Sequence, residues 1–163
     1  MAAYLTERVK LIGCLPPKDC TGSAQTPYFV KLSNYERVCF VLYVGALSSS
    51  DTMTVTLNKA TDSSGTGITA IAGKYRASST GAAGGTLEDG ALTALTDSGI
   101  TIANTKSYYV YTFEAKVPAD TGTDYPYVGL YITSPGAHAT LLTVIALGYE
   151  ARWMQDVPPS PIV

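Results

Sequence analysis

The sequence predicts an all-β fold: a jelly-roll-like, two-sheet antiparallel β-sandwich of about eight strands, with extended N- and C-terminal arms. Three observations lead there. Apolar residues recur at every second position through most of the chain, and no long segment repeats at 3.6. Turn-forming clusters break the chain often: Ser48-Ser-Ser-Asp51, Asp62-Ser-Ser-Gly-Thr-Gly67, Asp120-Thr-Gly-Thr-Asp124 and Ser134-Pro-Gly136. Two segments are apolar on both faces, as central strands of packed sheets are.

Taken in order, residues 28–32 form a first short strand. Tyr35–Val44 is β-branched and aromatic, apolar on both faces, and closed by Gly45, so it is a central strand. Residues 53–59 alternate: Met53, Val55 and Leu57 point one way, Thr54, Thr56 and Asn58 the other. Residues 69–77 and a piece around Ile100 and Ile102 are weaker strands. In residues 106–115, Tyr109, Tyr111 and Phe113 share a face. In residues 127–133, Val128, Leu130 and Ile132 oppose Tyr127, Gly129 and Tyr131. Residues 139–150 are again apolar on both faces and form a second central strand. Val38, Phe40, Leu42, Val55, Leu57, Leu130, Ile132, Leu142 and Val144 are the expected core. A short helix is entertained only near residues 5–11. Residues 78–90 are rich in Gly, Ala and Ser and read as a long loop.

Three segments follow. Residues 1–27 read as an extended N-terminal arm, residues 28–155 as the sandwich, and residues 156–163 as an extended C-terminal tail. The two arms hold six of the nine prolines, and a proline cannot donate to a ladder. The body is expected to fold without them.

The chain of 163 residues is enough for one domain, which at this size buries roughly 68–70% of its unfolded surface. Charged residues make up 15%, against about 25% in an ordinary domain, so Thr, Ser, Gly and Tyr must build the surface. Net charge is −2 and the Lys and Arg residues are scattered, which argues against nucleic acid, where clustered cations displace counterions. The longest apolar run, residues 141–147, is far short of the ~20 residues that span a bilayer. The N-terminus carries charges where a signal peptide has its apolar centre, so synthesis and use in the cytoplasm are expected.

Catalytic chemistry is hard to assemble. His138 is the single histidine, no GxSxG elbow supplies a nucleophile, and no catalytic partner for it is visible. A lone loop histidine is more often a solvated surface residue. Glu88-Asp89 reads as solubilising charge in the glycine-rich loop rather than an acid pair. Gly65-Thr-Gly67 reads as a turn, lacking the third glycine and helix of a dinucleotide fingerprint. No set of four ligands suits zinc, and no cofactor is expected. The chain is expected not to be an enzyme.

Two kinds of binding residue remain. Tyrosine occurs twelve times. Tyr125, Tyr127 and Tyr131 form a stripe opposite an aliphatic face and are candidate partner contacts, against the alternative of cross-strand packing. Tyr109 and Tyr111 lean toward the interior. In the tail, Pro158, Pro159, Ile162 and Val163 are candidate docking residues, because a pre-extended segment loses little entropy on binding. Cys14 and Cys20 flank Leu-Pro-Pro-Lys-Asp and are candidates for a disulfide, within the loop or between subunits; reduced thiols are the alternative that cytoplasmic synthesis favours. Cys39 reads as a small buried hydrophobe.

The run Asn34-Tyr-Glu-Arg-Val-Cys-Phe-Val-Leu-Tyr-Val-Gly45 is followed by Asp51-Thr-Met-Thr-Val-Thr-Leu-Asn-Lys-Ala-Thr-Asp-Ser-Ser-Gly65 and an Ile-Thr strand ending in Lys74. With Ala146-Leu-Gly-Tyr-Glu-Ala-Arg152 before a Pro-rich end, this pattern, spanning roughly residues 34–153, resembles the jelly-roll capsid decoration (cement) proteins of tailed bacteriophages. The Cys14–Cys20 loop is not part of the pattern. The resemblance implies a virion structural protein, assembled in the host cytoplasm, on the outer capsid surface. It would bridge subunits of the major capsid protein as a small homo-oligomer, with no active site, nucleic acid or membrane involved. The alternative is a carbohydrate-binding or receptor-binding, fibre- or lectin-like sandwich module.

Overall fold

The structure is a computed structural model that describes residues 9–32, 35–78, 90–116 and 127–151. Alternating burial produces eleven strands: β1 (Lys10–Asp19), β2 (Val30–Lys31), β3 (Tyr35–Val44), β4 (Thr52–Ala60), β5 (Thr69–Ala70), β6 (Gly73–Ala77), β7 (Thr93–Leu95), β8 (Ile100–Ala103), β9 (Val110–Lys116), β10 (Tyr127–Ile132) and β11 (Leu141–Ala151). Asn104–Lys106 is a single 3₁₀ turn. One sheet has the order β1-β11-β3-β9-β6-β7, the other β2-β10-β4-β5, with β8 also on β4. All pairings are antiparallel.

The topology is that of a jelly roll. A single long hairpin folded between β4 and β8 pairs β1 with β11, β2 with β10, β3 with β9 and β4 with β8. All four pairs are present. Rolling that hairpin places β1-β11-β3-β9 in one layer and β2-β10-β4-β8 in the other. The insertion between β4 and β8 changes layer at Ile71, whose N–H donates to the Leu57 carbonyl; β6 and β7 then extend the first sheet beyond β9.

Between the layers lie Val38, Phe40, Leu42, Val55, Leu57, Leu130, Ile132, Leu142 and Val144, none more than 1% exposed. These are the nine core residues expected from alternation. Tyr109, Tyr111 and Phe113 are buried in a row with ring centroids 6.2 and 6.3 Å apart. The two doubly apolar segments, β3 and β11, lie side by side in the middle of the six-stranded sheet. Each has a neighbour on both edges, which requires good ladder formers.

Three expectations are corrected. Residues 10–19 are not an arm: β1 pairs with β11 and sends Ile12, Cys14 and Leu15 into the core. Pro16 and Pro17 are accommodated because β1 is an edge strand with register shifts between Gly13 and Leu15 and between Leu15 and Lys18, where no inward N–H is needed. The body therefore includes β1. Leu11 is extended and not helical; residues 1–8 lie outside the described residues, as does the tail 156–163. Among the described residues there are eleven strands where about eight are expected, because β1 falls in the expected arm, residues 69–77 divide into β5 and β6, and β7 is only three residues long.

Candidate functional site

The sandwich has two outer faces, and they differ. On the five-stranded sheet, β10 points Val128, Leu130 and Ile132 inward and presents Tyr127, Gly129 and Tyr131 outward. Opposite them on β4 stand Ala60, Asn58 and Thr56. The chain covers much of this face itself. Gln25 bridges to Ile132 at the edge, and Phe29 lies over Gly129 at only 1% exposure. A Cβ on Gly129 would meet the Phe29 ring at 2.7 Å, so the absent side chain makes the seat for the ring. Gly65, at φ 83°, closes over it from the β4–β5 loop, and the Ser63 carbonyl accepts the Phe29 N–H at 2.9 Å. Asn58 is buried beside it and donates to the Thr56 hydroxyl at 2.7 Å. Tyr127 and Tyr131 are half-buried on either side of this seat, so Phe29 occupies the middle of the stripe. Tyr125, Pro158, Pro159, Ile162 and Val163 lie outside the described residues.

On the six-stranded sheet the register lays out the outer face of the described strands row by row. Leu11 (β1), Leu147 (β11), Cys39 (β3) and Glu114 (β9) form one row. Gly13, Ile145, Val41 and Thr112 form the next, then Thr143, Tyr43 and Val110. Leu141 follows at the start of β11. Of the seven exposed large hydrophobics among the described residues, four are here: Leu11 at 63%, Leu141 at 60%, Tyr43 at 39% and Ile145 at 37%. Val41, Leu147 and Val110 fill the spaces between them, half-buried. A contiguous aliphatic patch on an outer sheet face marks a docking surface more often than scattered apolar residues do.

The patch is bounded at one end by a polar row of Tyr149, Arg37 and Lys116. Arg37 Nη1 lies 3.3 Å from Glu114 Oε1, and the Tyr149 hydroxyl donates to the same oxygen. Burial, and then the Glu114 carboxylate, push the Tyr149 hydroxyl well above its usual range. The ion pair is about one-third exposed, so it orients side chains more than it stabilises the fold.

At one end of the sandwich, the partly exposed His138 imidazole lies against a carboxylate. Its Nδ1 lies 3.0 Å from Asp51 Oδ1, on the loop between β3 and β4. Asp51 is 3% exposed and also accepts the Ser48 N–H. Gly136, at φ 132°, makes room for it: a Cβ there would overlap the Asp51 carboxylate. Sequence spacing could not reveal a pair separated by 87 residues. The contact ties the β10–β11 loop to the β3–β4 loop, and no serine or cysteine hydrogen-bonds to His138 among the described contacts. The same loop is held from its other side, with the Gly22 N–H on the Gly136 carbonyl at 2.7 Å and the Thr140 N–H on Asp19 at 3.1 Å.

Cys14 and Cys20 are both free thiols, and both are buried at the bulged end of β1. Burial pushes the Cys14 thiol up to about 12 and raises that of Cys20. Cys39 is half-buried on the outer face rather than in the core. No group of three or more metal-ligating side chains converges among the described residues.

No protein-family model matches the chain, and no curated protein matches it. Among solved structures, one described as the structure of infectious bursal disease virus, Gt strain, is similar over 86% of this chain and 39% of that one, at 12% sequence identity and a TM-score of 0.24. The chain thus spans well under half the length of that neighbour, and a likeness this slight carries no argument about fold or function.

Proposed function

We propose that this protein is a virion structural protein, a capsid decoration or cement protein that binds the outside of a phage head and stabilises it by bridging subunits. The observation that carries the reading is the contrast between the two outer faces. One is covered by the chain's own Phe29 and the β4–β5 loop. The other presents a contiguous apolar patch from Leu11 to Tyr43 on four ladder-bonded strands. A rigid apolar face of this kind suits a protein neighbour: its side chains are already ordered, so little entropy is lost on docking. The strand-and-turn pattern of residues 34–153, which resembles phage cement proteins, and the jelly-roll topology support the same reading. In this account the partners are the major capsid protein and further copies of the chain, and no cofactor takes part. Many copies acting together give avidity to a contact that is modest in each.

The carbohydrate-binding alternative draws no support from the tyrosines of β10, because Phe29 fills the space between Tyr127 and Tyr131 where a sugar ring would stack. The test is co-sedimentation of the purified protein with undecorated phage heads, read with the heat stability of those heads. Saturable binding that raises the temperature of head disruption is expected. Heads that neither retain the protein nor gain stability would overturn the proposal.

A further inference from the structure

We propose that Tyr108, on the loop between β8 and β9, is an anchor residue with which this protein grips the phage head. The inference deepens the capsid-binding reading above and rests on it. Its starting point is the backbone. Tyr108 has φ 62°, in the left-handed region where a side chain crowds the following carbonyl. Among the described residues, the others with positive φ are Gly22, Gly65, Gly67, Gly99 and Gly136. The described chain thus uses glycine wherever its backbone turns this way, except at Tyr108.

The strained geometry is imposed from both sides. On one side, the Ser107 hydroxyl accepts the Leu47 N–H at 2.8 Å and donates to the Asn104 carbonyl at 3.0 Å. On the other, the Tyr109 carbonyl accepts the Val44 N–H at 3.0 Å, and the Lys106 ammonium lies 4.7 Å from the centre of the buried Tyr109 ring. The Tyr108 N–H itself donates to the Gly45 carbonyl at 3.1 Å. Neighbours fixed this firmly can hold a residue in an unfavourable conformation. None of these bonds involves the Tyr108 side chain, so a glycine would allow all of them without the steric strain.

What the tyrosine adds is its side chain, and the fold makes little use of it. It is half-buried, and among the described residues it forms no hydrogen bond and no aromatic pair. Strain kept without a polar or aromatic partner inside the chain points to a use outside it. The position suits that use. The Gly45 N–H donates to the Leu141 carbonyl at 2.8 Å, so Leu141, Gly45 and Tyr108 follow one another across the ends of β11, β3 and β9. Leu141 is 60% exposed, and Gly45 between them carries no side chain. Tyr108 therefore borders the apolar outer face at its loop end, on a backbone that is already fixed. A tyrosine held in this way loses little freedom on docking, and it offers both apolar area and a polar tip to a protein partner.

Tyr108→Gly and Tyr108→Asn both accept the left-handed backbone. Thermal melting of the isolated chain and titration of undecorated heads with wild type and both variants test the proposal. Relief of strain should offset the lost ring contacts, so Tm should stay within roughly 3 °C of wild type or rise. Affinity for heads should fall about tenfold or more. A Tm lower by more than roughly 3 °C in both variants would show that the ring repays its strain inside the fold, and would overturn the proposal. Affinity unchanged in both variants would also overturn it, while leaving the capsid-binding reading in place. Heads that take up no wild-type chain would overturn both, so the two failures are distinguishable. Using two substitutions guards against one of them failing to fold.

Discussion

β3 is apolar on both faces, so the adjacent substitutions Phe40→Ala and Val41→Ala together report which face is the core. Phe40 is 0% exposed, opposite Ala146 on β11 and Phe113 on β9. Emptying a buried Phe site costs roughly 3–5 kcal/mol. For 163 residues, at ~2.1 cal/mol/K per residue, the unfolding entropy is about 0.34 kcal/mol/K, so Tm should fall by about 9–15 °C. Val41 is half-buried on the outer face between Ile145 and Thr112. Val41→Ala removes about two methyl equivalents, each worth ~0.8 kcal/mol when fully buried and less here, so the loss should stay near or below about 1 kcal/mol and 3 °C. Thermal melts followed by circular dichroism in dilute protein measure both. A one-residue slip in register exchanges the two faces. Equal losses, or a larger loss for Val41→Ala, would refute the assigned register and the outward patch with it.

Other outcomes follow from local geometry. Gly129→Ala should cost roughly 1–3 kcal/mol, because the new methyl meets the Phe29 ring, and Phe29→Ala in the same chain should recover part of that loss. Additive melting shifts in the double variant would show that the ring does not rest on Gly129. His138→Ala should lower stability by roughly 1–3 kcal/mol, since buried Asp51 loses one of its hydrogen-bond partners, while binding to heads persists. Loss of binding with stability intact would give His138 a direct contact role instead. Cys14 and Cys20 should resist iodoacetamide at about pH 8 in the folded chain, and all three cysteines should react once it is unfolded; reaction of only one after unfolding would reveal a Cys14–Cys20 disulfide. Alkaline sensitivity has a defined sign. The Cys14 thiol rises from 9.0 to about 12 on folding, so the folded chain holds this proton more tightly. Its contribution to stability is whole below pH 9.0 and is lost as pH rises toward about 12. Urea midpoints across that window should fall less steeply in Cys14→Ala, and an unchanged slope would contradict the burial.

The core was legible because alternation is a local signal: in β4 and β10 the residues that alternate apolar and polar are the residues that face in and out. β1 was not, because two prolines and a bulge remove the signal, and only the neighbouring β11 shows that an edge position tolerates them. β3 and β11 are legible as central strands but not as to which face is buried, since Val41 and Phe40 are both apolar. That decision is made by Phe113 and Ala146 across the ladder. The apolar patch was hidden for the same reason: Leu11, Ile145 and Val41 come together only through register, across three strands far apart in sequence. The Tyr127 and Tyr131 stripe was visible, whereas Phe29, which fills its centre, lies about a hundred residues away. Asp51 and His138 meet across two loops whose approach depends on the completed sandwich.

The central claim is that the outer face of the six-stranded sheet is where this protein meets its neighbours in a phage head. The most direct measurement is occupancy of undecorated heads by the wild-type chain, by Leu11→Glu and Leu141→Lys on that face, and by Tyr131→Ala on the opposite one, with folding verified for each. Occupancy should collapse for the two patch variants, because small losses per copy compound across linked copies, and should stay near wild type for Tyr131→Ala. Full occupancy by the patch variants, or loss confined to Tyr131→Ala, would contradict the account.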